Sequence, residues 1–174
     1  NLSIIIKKIH QLQLLHFDLK LENVIIDRYG LPTIIDFGFS CVLNINYLQY
    51  RPPDFELDNY YYDDLIGYRG TVNYIPLEIW DLDKKTTTRQ HIGTWSDLYS
   101  LGILFYELLT NGSHPYGNEK YKDTFIQQVR DPNYLPKGIY NMNVPFEVRS
   151  LVLRMINKNY LFRPSIDEVL GTIK

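Results

Sequence analysis

Leu2, Ile5, Ile9 and Leu12 fall three to four residues apart, which predicts an amphipathic helix at the start of the chain. Two short apolar runs follow, Asn23–Asp27 and Thr33–Asp36. The turn-prone Arg28-Tyr29-Gly30 between them predicts a small β-hairpin. From there to about Glu78 the pattern is irregular and rich in Tyr, Asp and Pro. A second helix is expected from near Thr94. Leu98, Leu101, Leu104, Phe105, Leu108 and Leu109 make it apolar on nearly every side, which places it in the middle of a fold. Asn111-Gly112 should end it. Tyr121, Phe125, Ile126 and Val129 mark a third helix, and Leu151, Val152, Met155 and Ile156 a fourth, entered through Pro145. The last should start at Ser165, with Glu168 three residues on at capping-box spacing. The expected fold class is mainly α with a small β element near the start, without repeats or linkers.

Composition narrows the function classes. A length of 174 residues suits one domain with a proper core, and 45% apolar against 22% charged residues excludes a disordered or fibrous chain. A net charge of −2 gives no general attraction to nucleic acid or to an anionic membrane, so neither is expected as a partner. Cys41 is the sole cysteine, so no disulfide forms within the chain, and a reducing, cytoplasmic location is expected. The longest apolar run, Leu101 to Leu109, contains Glu107 and is too short to cross a bilayer. Lys7 and Lys8 follow the first apolar residues with no small-residue cleavage site after them, unlike a signal peptide. The start at Asn1 rather than Met suggests a piece of something longer.

The candidate chemistry is concentrated in His16-Phe17-Asp18-Leu19-Lys20-Leu21-Glu22-Asn23, with Asp36-Phe37-Gly38 across the hairpin. Moving a phosphoryl group from ATP to an alcohol passes through a loose, highly charged transition state, so a site must mainly position reactants and stabilise charge. It needs a carboxylate to orient the hydroxyl and take its proton, a cation for the phosphoryl oxygens, and hard oxygen ligands for Mg²⁺. Asp18 suits the first role and Lys20 the second; Asn23 and Asp36 suit the third. The two-residue spacing lets Asp18 and Lys20 face one side of an extended loop, and Asn23 should open the first strand with Asp36 returning beside it.

These motifs resemble the catalytic and metal-binding loops of eukaryotic-type protein kinases of the serine/threonine type, where His-Arg-Asp-Leu-Lys-x-x-Asn precedes Asp-Phe-Gly. Gly70-Thr71-Val72-Asn73-Tyr74-Ile75-Pro76-Leu77-Glu78 resembles the family's substrate-groove segment, which ends in Ala-Pro-Glu. Asp97-Leu98-Tyr99-Ser100-Leu101-Gly102 resembles the start of its buried central helix, and Arg163-Pro164-Ser165 the late motif whose arginine pairs with the closing glutamate, here Glu78. The likeness runs through the whole chain and implies the C-terminal lobe of a kinase, residues 1–174. Within it, 16–23 would be the catalytic loop, 36–78 the activation segment and 94–174 a helical subdomain. It implies that Asp18 is the base, that Lys20 contacts the γ-phosphate, and that Asn23 and Asp36 hold Mg²⁺. It further implies that Ile25 forms the floor under adenine, that Thr71 bonds Asp18 and Lys20, and that Glu22 reads basic residues in a protein substrate. Lys20 favours the serine/threonine branch, because tyrosine kinases usually carry Ala or Arg in this part of the loop.

Two departures stand out. Phe17 replaces the loop arginine that in many kinases receives an activation-segment phosphate. Between Cys41 and Gly70 there is no Ser or Thr, only Tyr47, Tyr50, Tyr60, Tyr61, Tyr62 and Tyr68 among acidic residues. The expectation is a kinase not switched on by serine/threonine phosphorylation of this loop. No glycine-rich loop, Val-Ala-Ile-Lys strand or helix glutamate precedes Asn1, so the chain alone should bind ATP poorly and turn over little, its missing N-terminal lobe lying in a parent chain.

Simpler roles compete at several positions. Asp97 caps its helix, braces the catalytic loop, or both. His16 is expected as a hydrogen-bonded core residue; His10, His91 and His114 lack metal spacing and are expected as surface or packing residues. At the level of function the rivals are a pseudokinase-like scaffold or binding module and a small-molecule kinase of related fold. The four intact groups at 18, 20, 23 and 36 argue against the first, and the 70–78 segment argues against the second.

Overall fold

Helix α1, Leu2–Gln11, opens the computed structural model, which describes residues 1–42, 70–80, 92–117 and 122–173. The tyrosines at 47–68, His91 and Tyr121 lie outside the described residues. Ile6 and Ile9 face the core from α1, together with Ser3 and His10. Leu12, expected on the same stripe, is 70% exposed: it follows the last helical residue, so its side chain no longer keeps helical register.

The expected hairpin forms from β2 (Val24–Ile26) and β3 (Pro32–Ile34), antiparallel, with Val24 opposite Ile34 and Ile25 opposite Thr33. Its turn is closed by Asp27, whose Oδ1 accepts the N–H groups of Tyr29 (2.8 Å) and Leu31 (2.9 Å), and by Gly30 at φ +77°. The first strand is a residue shorter than expected at each end, and the second begins one residue early, at Pro32, and stops two short of Asp36. Asn23 belongs to a one-turn 3-10 helix, Leu21–Asn23, and Asp36 adopts a left-handed φ of +63°, which no strand residue can hold. A second antiparallel pair went unforeseen: β1 (Leu14–Leu15) runs beside β4 (Cys41–Val42). Two residues are too few to show a period.

Among the described residues the remaining α-helices are α2 (Leu77–Trp80), α3 (Thr94–Leu109), α4 (Lys122–Arg130), α5 (Phe146–Met155) and α6 (Ile166–Thr172). As its sequence demanded, α3 is central, and it joins two clusters of buried side chains. Tyr99, Ile103, Leu104 and Tyr106 pack with Tyr116, Phe125, Val129, Ile139 and Val152 on one side. Leu98 and Leu101 pack with Ile6, Ile9, Leu19, Leu151 and Met155 on the other. Gly102 lets α5 approach closely, since a Cβ there would stand 2.7 Å from Met155 Cβ. The helix ends as expected: Asn111 and Gly112 take φ of +55° and +86°, and Gly112 N–H returns to Glu107 O at 2.8 Å. At α6, Ser165 Oγ accepts Glu168 N–H (3.2 Å), but the Glu168 carboxylate pairs with Arg154 instead of closing the box. An arginine on the neighbouring α5 outcompetes a backbone N–H for that carboxylate.

Candidate active site

The loop between β1 and β2 is pinned by what surrounds it. Leu15 and Leu19 are wholly buried and anchor it at two points. Between them Asp97, in the first turn of α3, accepts His16 N–H at Oδ2 (2.9 Å) and Phe17 N–H at Oδ1 (3.0 Å). These bonds hold Phe17 at a left-handed φ of +62°, a conformation costly for a bulky residue unless its neighbours enforce it. Asp97 therefore braces the loop, while Gly93 occupies the N-cap position of α3. His16 is buried as expected. Its Nδ1 accepts Asp18 N–H (3.3 Å), so the ring proton sits on Nε2, which donates to Ile35 O (3.1 Å) and ties the loop to the residue before Asp36.

This frame delivers Asp18, only 2% exposed, into a set of four donors. Oδ1 accepts Thr71 N–H (2.9 Å) and Thr71 Oγ1–H (3.0 Å). Oδ2 receives Asn23 Nδ2 (3.0 Å) and pairs with Lys20 Nζ (2.9 Å). Lys20 Nζ also donates to Thr71 Oγ1 (2.7 Å), and Asn23 Nδ2 also reaches Asp18 O (2.8 Å). Burial alone raises the Asp18 pKa, but the Lys20 and Thr71 hydrogen bonds and the Lys20 charge outweigh it, and the carboxyl is held below its usual range. The result is an anionic, oriented carboxylate whose acceptor positions are filled.

Asp36 stands near this group through the backbone: Ile35 N–H bonds Asn23 O at 3.0 Å across the hairpin. Its own carboxylate is exposed and accepts Gly38 N–H (3.2 Å). Asn23, with Nδ2 spent on Asp18, keeps Oδ1 as a hard donor. An amide oxygen and an exposed carboxylate fit Mg²⁺, which takes few protein ligands and completes its shell with water and phosphate oxygens. Ile25 is 52% exposed on β2, open to a flat apolar ligand.

The 70–78 segment approaches from the other side. Gly70, at φ +101°, brings the chain so close that a Cβ would stand 2.7 Å from Phe17 O, and this approach seats Thr71 on Asp18. Ser100 Oγ donates to Tyr74 O (2.8 Å), and Tyr74 Oη–H donates to Glu107 Oε2. Burial raises the Glu107 pKa, and the nearby Glu22 charge raises it further despite the Tyr74 hydroxyl, which places Glu22 beside this pair. The segment closes at the expected ion pair: Arg163 Nη1 and Nη2 grip Glu78 Oε1 (2.5 Å) and Oε2 (2.9 Å).

Several contributors were not foreseen. His10, expected as a surface or packing residue, is packed in the interior, and the unforeseen part is its bond: Nε2 lies 2.9 Å from Asp97 Oδ2 and supports the brace. Its position four residues after Ile6, on the apolar stripe, is the signal that marks it. Glu107, Ser100 and His114 also hold the 70–78 segment, and no local spacing announces them.

The family described as "Protein kinase domain" matches residues 2–172. The chain is 24% identical over 88% of its length to the serine/threonine-protein kinase TOUSLED of Arabidopsis thaliana. It is 31% identical over 94% of its length to the putative serine/threonine-protein kinase R436 of Acanthamoeba polyphaga mimivirus, and 27% identical over 95% to the serine/threonine-protein kinase Nek3 of Mus musculus. It spans 20%, 50% and 27% of those three proteins.

Proposed function

We propose, since the chain belongs to the protein kinase domain family, that it carries the phosphoryl-transfer residues of a serine/threonine protein kinase. The observation that carries this reading is the Asp18 carboxylate, clamped by Thr71, Asn23 and Lys20.

In the transfer, the substrate hydroxyl oxygen forms a bond to the γ-phosphorus, the bond from that phosphorus to the oxygen of the leaving ADP breaks, and the hydroxyl proton passes to Asp18. Asp18 must first free an acceptor position. Lys20 is the donor able to leave: its side chain is 21% exposed and flexible, whereas Thr71 N–H is fixed in the backbone. Swinging its ammonium from Oδ2 to the phosphoryl oxygens opens Oδ2 to the hydroxyl and supplies positive charge where negative charge grows. Thr71 and Asn23 keep the carboxylate oriented throughout. Mg²⁺ held by Asn23 Oδ1 and Asp36 would neutralise phosphate charge, and Ile25 offers an apolar surface for adenine.

The relatives are much longer than this chain, which supports a working unit that includes a second lobe over the nucleotide. On this reading the chain alone binds nucleotide more weakly than micromolar, measurable by calorimetry. A protein substrate and an intracellular setting belong to the same proposal. The test is Asp18→Asn in the intact enzyme, assayed for γ-phosphate transfer to peptide. A loss of about 10²- to 10⁴-fold is expected; undiminished transfer removes Asp18 from its role.

A further inference from the structure

Thr71 bonds Asp18, so on the kinase reading a peptide that presents a hydroxyl to Asp18 lies against the residues next to Thr71. Of these Val72 is 45% exposed and Asn73 follows it in a one-turn 3-10 helix, Val72–Tyr74. The inside of that turn is held at two successive carbonyls. Ser100 on α3 donates to Tyr74 O, and His114, in the loop after α3, places Nε2 3.0 Å from Asn73 O. The tautomer of His114 is set by its other nitrogen: Nδ1 lies 3.2 Å from Tyr116 N–H, which can only donate, so Nε2 carries the proton and donates to Asn73 O. Tyr74, Tyr116 and Phe125 enclose the ring at centroid distances of 6.5, 5.9 and 5.4 Å, and leave it little freedom to turn away. Asn73 Oδ1 is already buried with no hydrogen-bond partner, so without His114 both oxygens of Asn73 would lack a protein donor.

We propose that His114 is a positioning residue for the peptide substrate: its Nε2–H bond to Asn73 O sets the 72–74 turn along which the peptide lies. It acts through Asn73 and touches neither nucleotide nor the reacting atoms. The consequence is a split in kinetics. Loss of the donor weakens the peptide's grip and leaves the nucleotide's untouched, because Lys20, Asn23 and Asp36 are held by Asp18, Thr71 and Gly38, and none of those bonds runs through Asn73. The inference rests on the protein-kinase reading above.

The experiment compares His114→Leu, which removes the donor, with His114→Gln, whose amide nitrogen can reach Asn73 O, in the intact enzyme. His114→Leu is expected to raise the peptide KM about tenfold, the worth of one hydrogen bond. ATP KM should stay within about twofold, and His114→Gln should restore peptide KM to within about threefold. Hydrogen exchange of the Tyr74 amide, which bonds Thr71 O at 2.8 Å, reports the turn directly and should accelerate in His114→Leu only. An unchanged peptide KM, a parallel rise in ATP KM, or a His114→Gln variant as impaired as His114→Leu each overturns the inference while leaving the kinase reading intact. Absence of any transfer by the wild-type enzyme defeats the kinase reading, and this inference with it.

Discussion

Arg163 and Glu78 stand 85 positions apart in the chain and meet as a buried two-pronged ion pair. The pair is further tied by Ser96 Oγ to Glu78 Oε1 (3.1 Å) and by Arg163 to the carbonyl oxygens of Trp95 and Asn157. It fastens the end of the 70–78 segment to the helical body. Charges this deeply buried do not return their desolvation cost by attraction alone, and removing one strands the other. Arg163→Met should therefore cost about 3–5 kcal/mol in urea unfolding, and the double variant Glu78→Leu/Arg163→Met should recover a good part of that. A double variant no better than the single would show that the pair's worth lies in its ties to the backbone carbonyls.

Gly70 and Gly112 both hold left-handed backbone, yet they should respond differently to a methyl group. Gly112 has open space around its missing Cβ, whereas at Gly70 the methyl would meet Phe17 O at 2.7 Å. Gly112→Ala should cost only the conformational strain, about 1 kcal/mol. Gly70→Ala should cost more, about 2–3 kcal/mol, because it adds a clash that pushes Thr71 off Asp18. Thermal unfolding of the two variants gives the comparison, and equal shifts would refute the close approach as the reason for Gly70.

What the sequence made legible was whatever is written locally. The apolar faces of α3, the Asn111-Gly112 stop and the hairpin around Asp27 each follow from a handful of neighbouring residues. The clamp on Asp18 was legible because Lys20 and Asn23 lie within five residues of it, and Thr71 through family likeness. Bonds such as His10 to Asp97, 87 positions away, and His114 to Asn73, 41 away, depend on how helices settle together, and no short window encodes that. The β1–β4 pair failed for a different reason. Each strand is two residues long and exists because the loop on one side and the residues after Gly38 on the other are drawn alongside each other.

Asp97 tests whether bracing the loop matters to catalysis. Its two oxygens accept from His10, His16 and Phe17. Asp97→Asn keeps the shape but turns one acceptor into a donor, so at least one backbone N–H loses its partner and meets another donor. One orphaned buried group costs about 1–3 kcal/mol, and here the cost is released by letting Asp18 drift from its orientation. In the intact enzyme kcat should fall about tenfold to a hundredfold with smaller changes in either KM. A variant with normal kcat and only a lowered melting temperature would make Asp97 a purely structural residue.

His114 also predicts a pH dependence of stability. Burial lowers its pKa to about 4, against a hydrogen bond to Asn73 O that acts the other way. Among the described residues Tyr74 and Tyr116 are the titratable side chains with rings against His114, and both stay neutral in acid. A histidine in the unfolded chain takes up its proton near pH 6.5. Between about pH 6.5 and pH 4 the unfolded state therefore binds a proton that the folded state refuses, and stability must fall as pH is lowered through that window. The slope contributed by one such group is at most about 1.4 kcal/mol per pH unit. Urea midpoints at pH 7, 5.5 and 4.5 should show the wild-type chain losing stability faster than His114→Gln, whose amide does not titrate. Protonation also places a hydrogen on Nδ1 facing Tyr116 N–H, so the ring must break that bond to accept the charge. If the two proteins lose stability in parallel, His114 titrates as a solvated residue does, and the buried neutral donor to Asn73 is excluded.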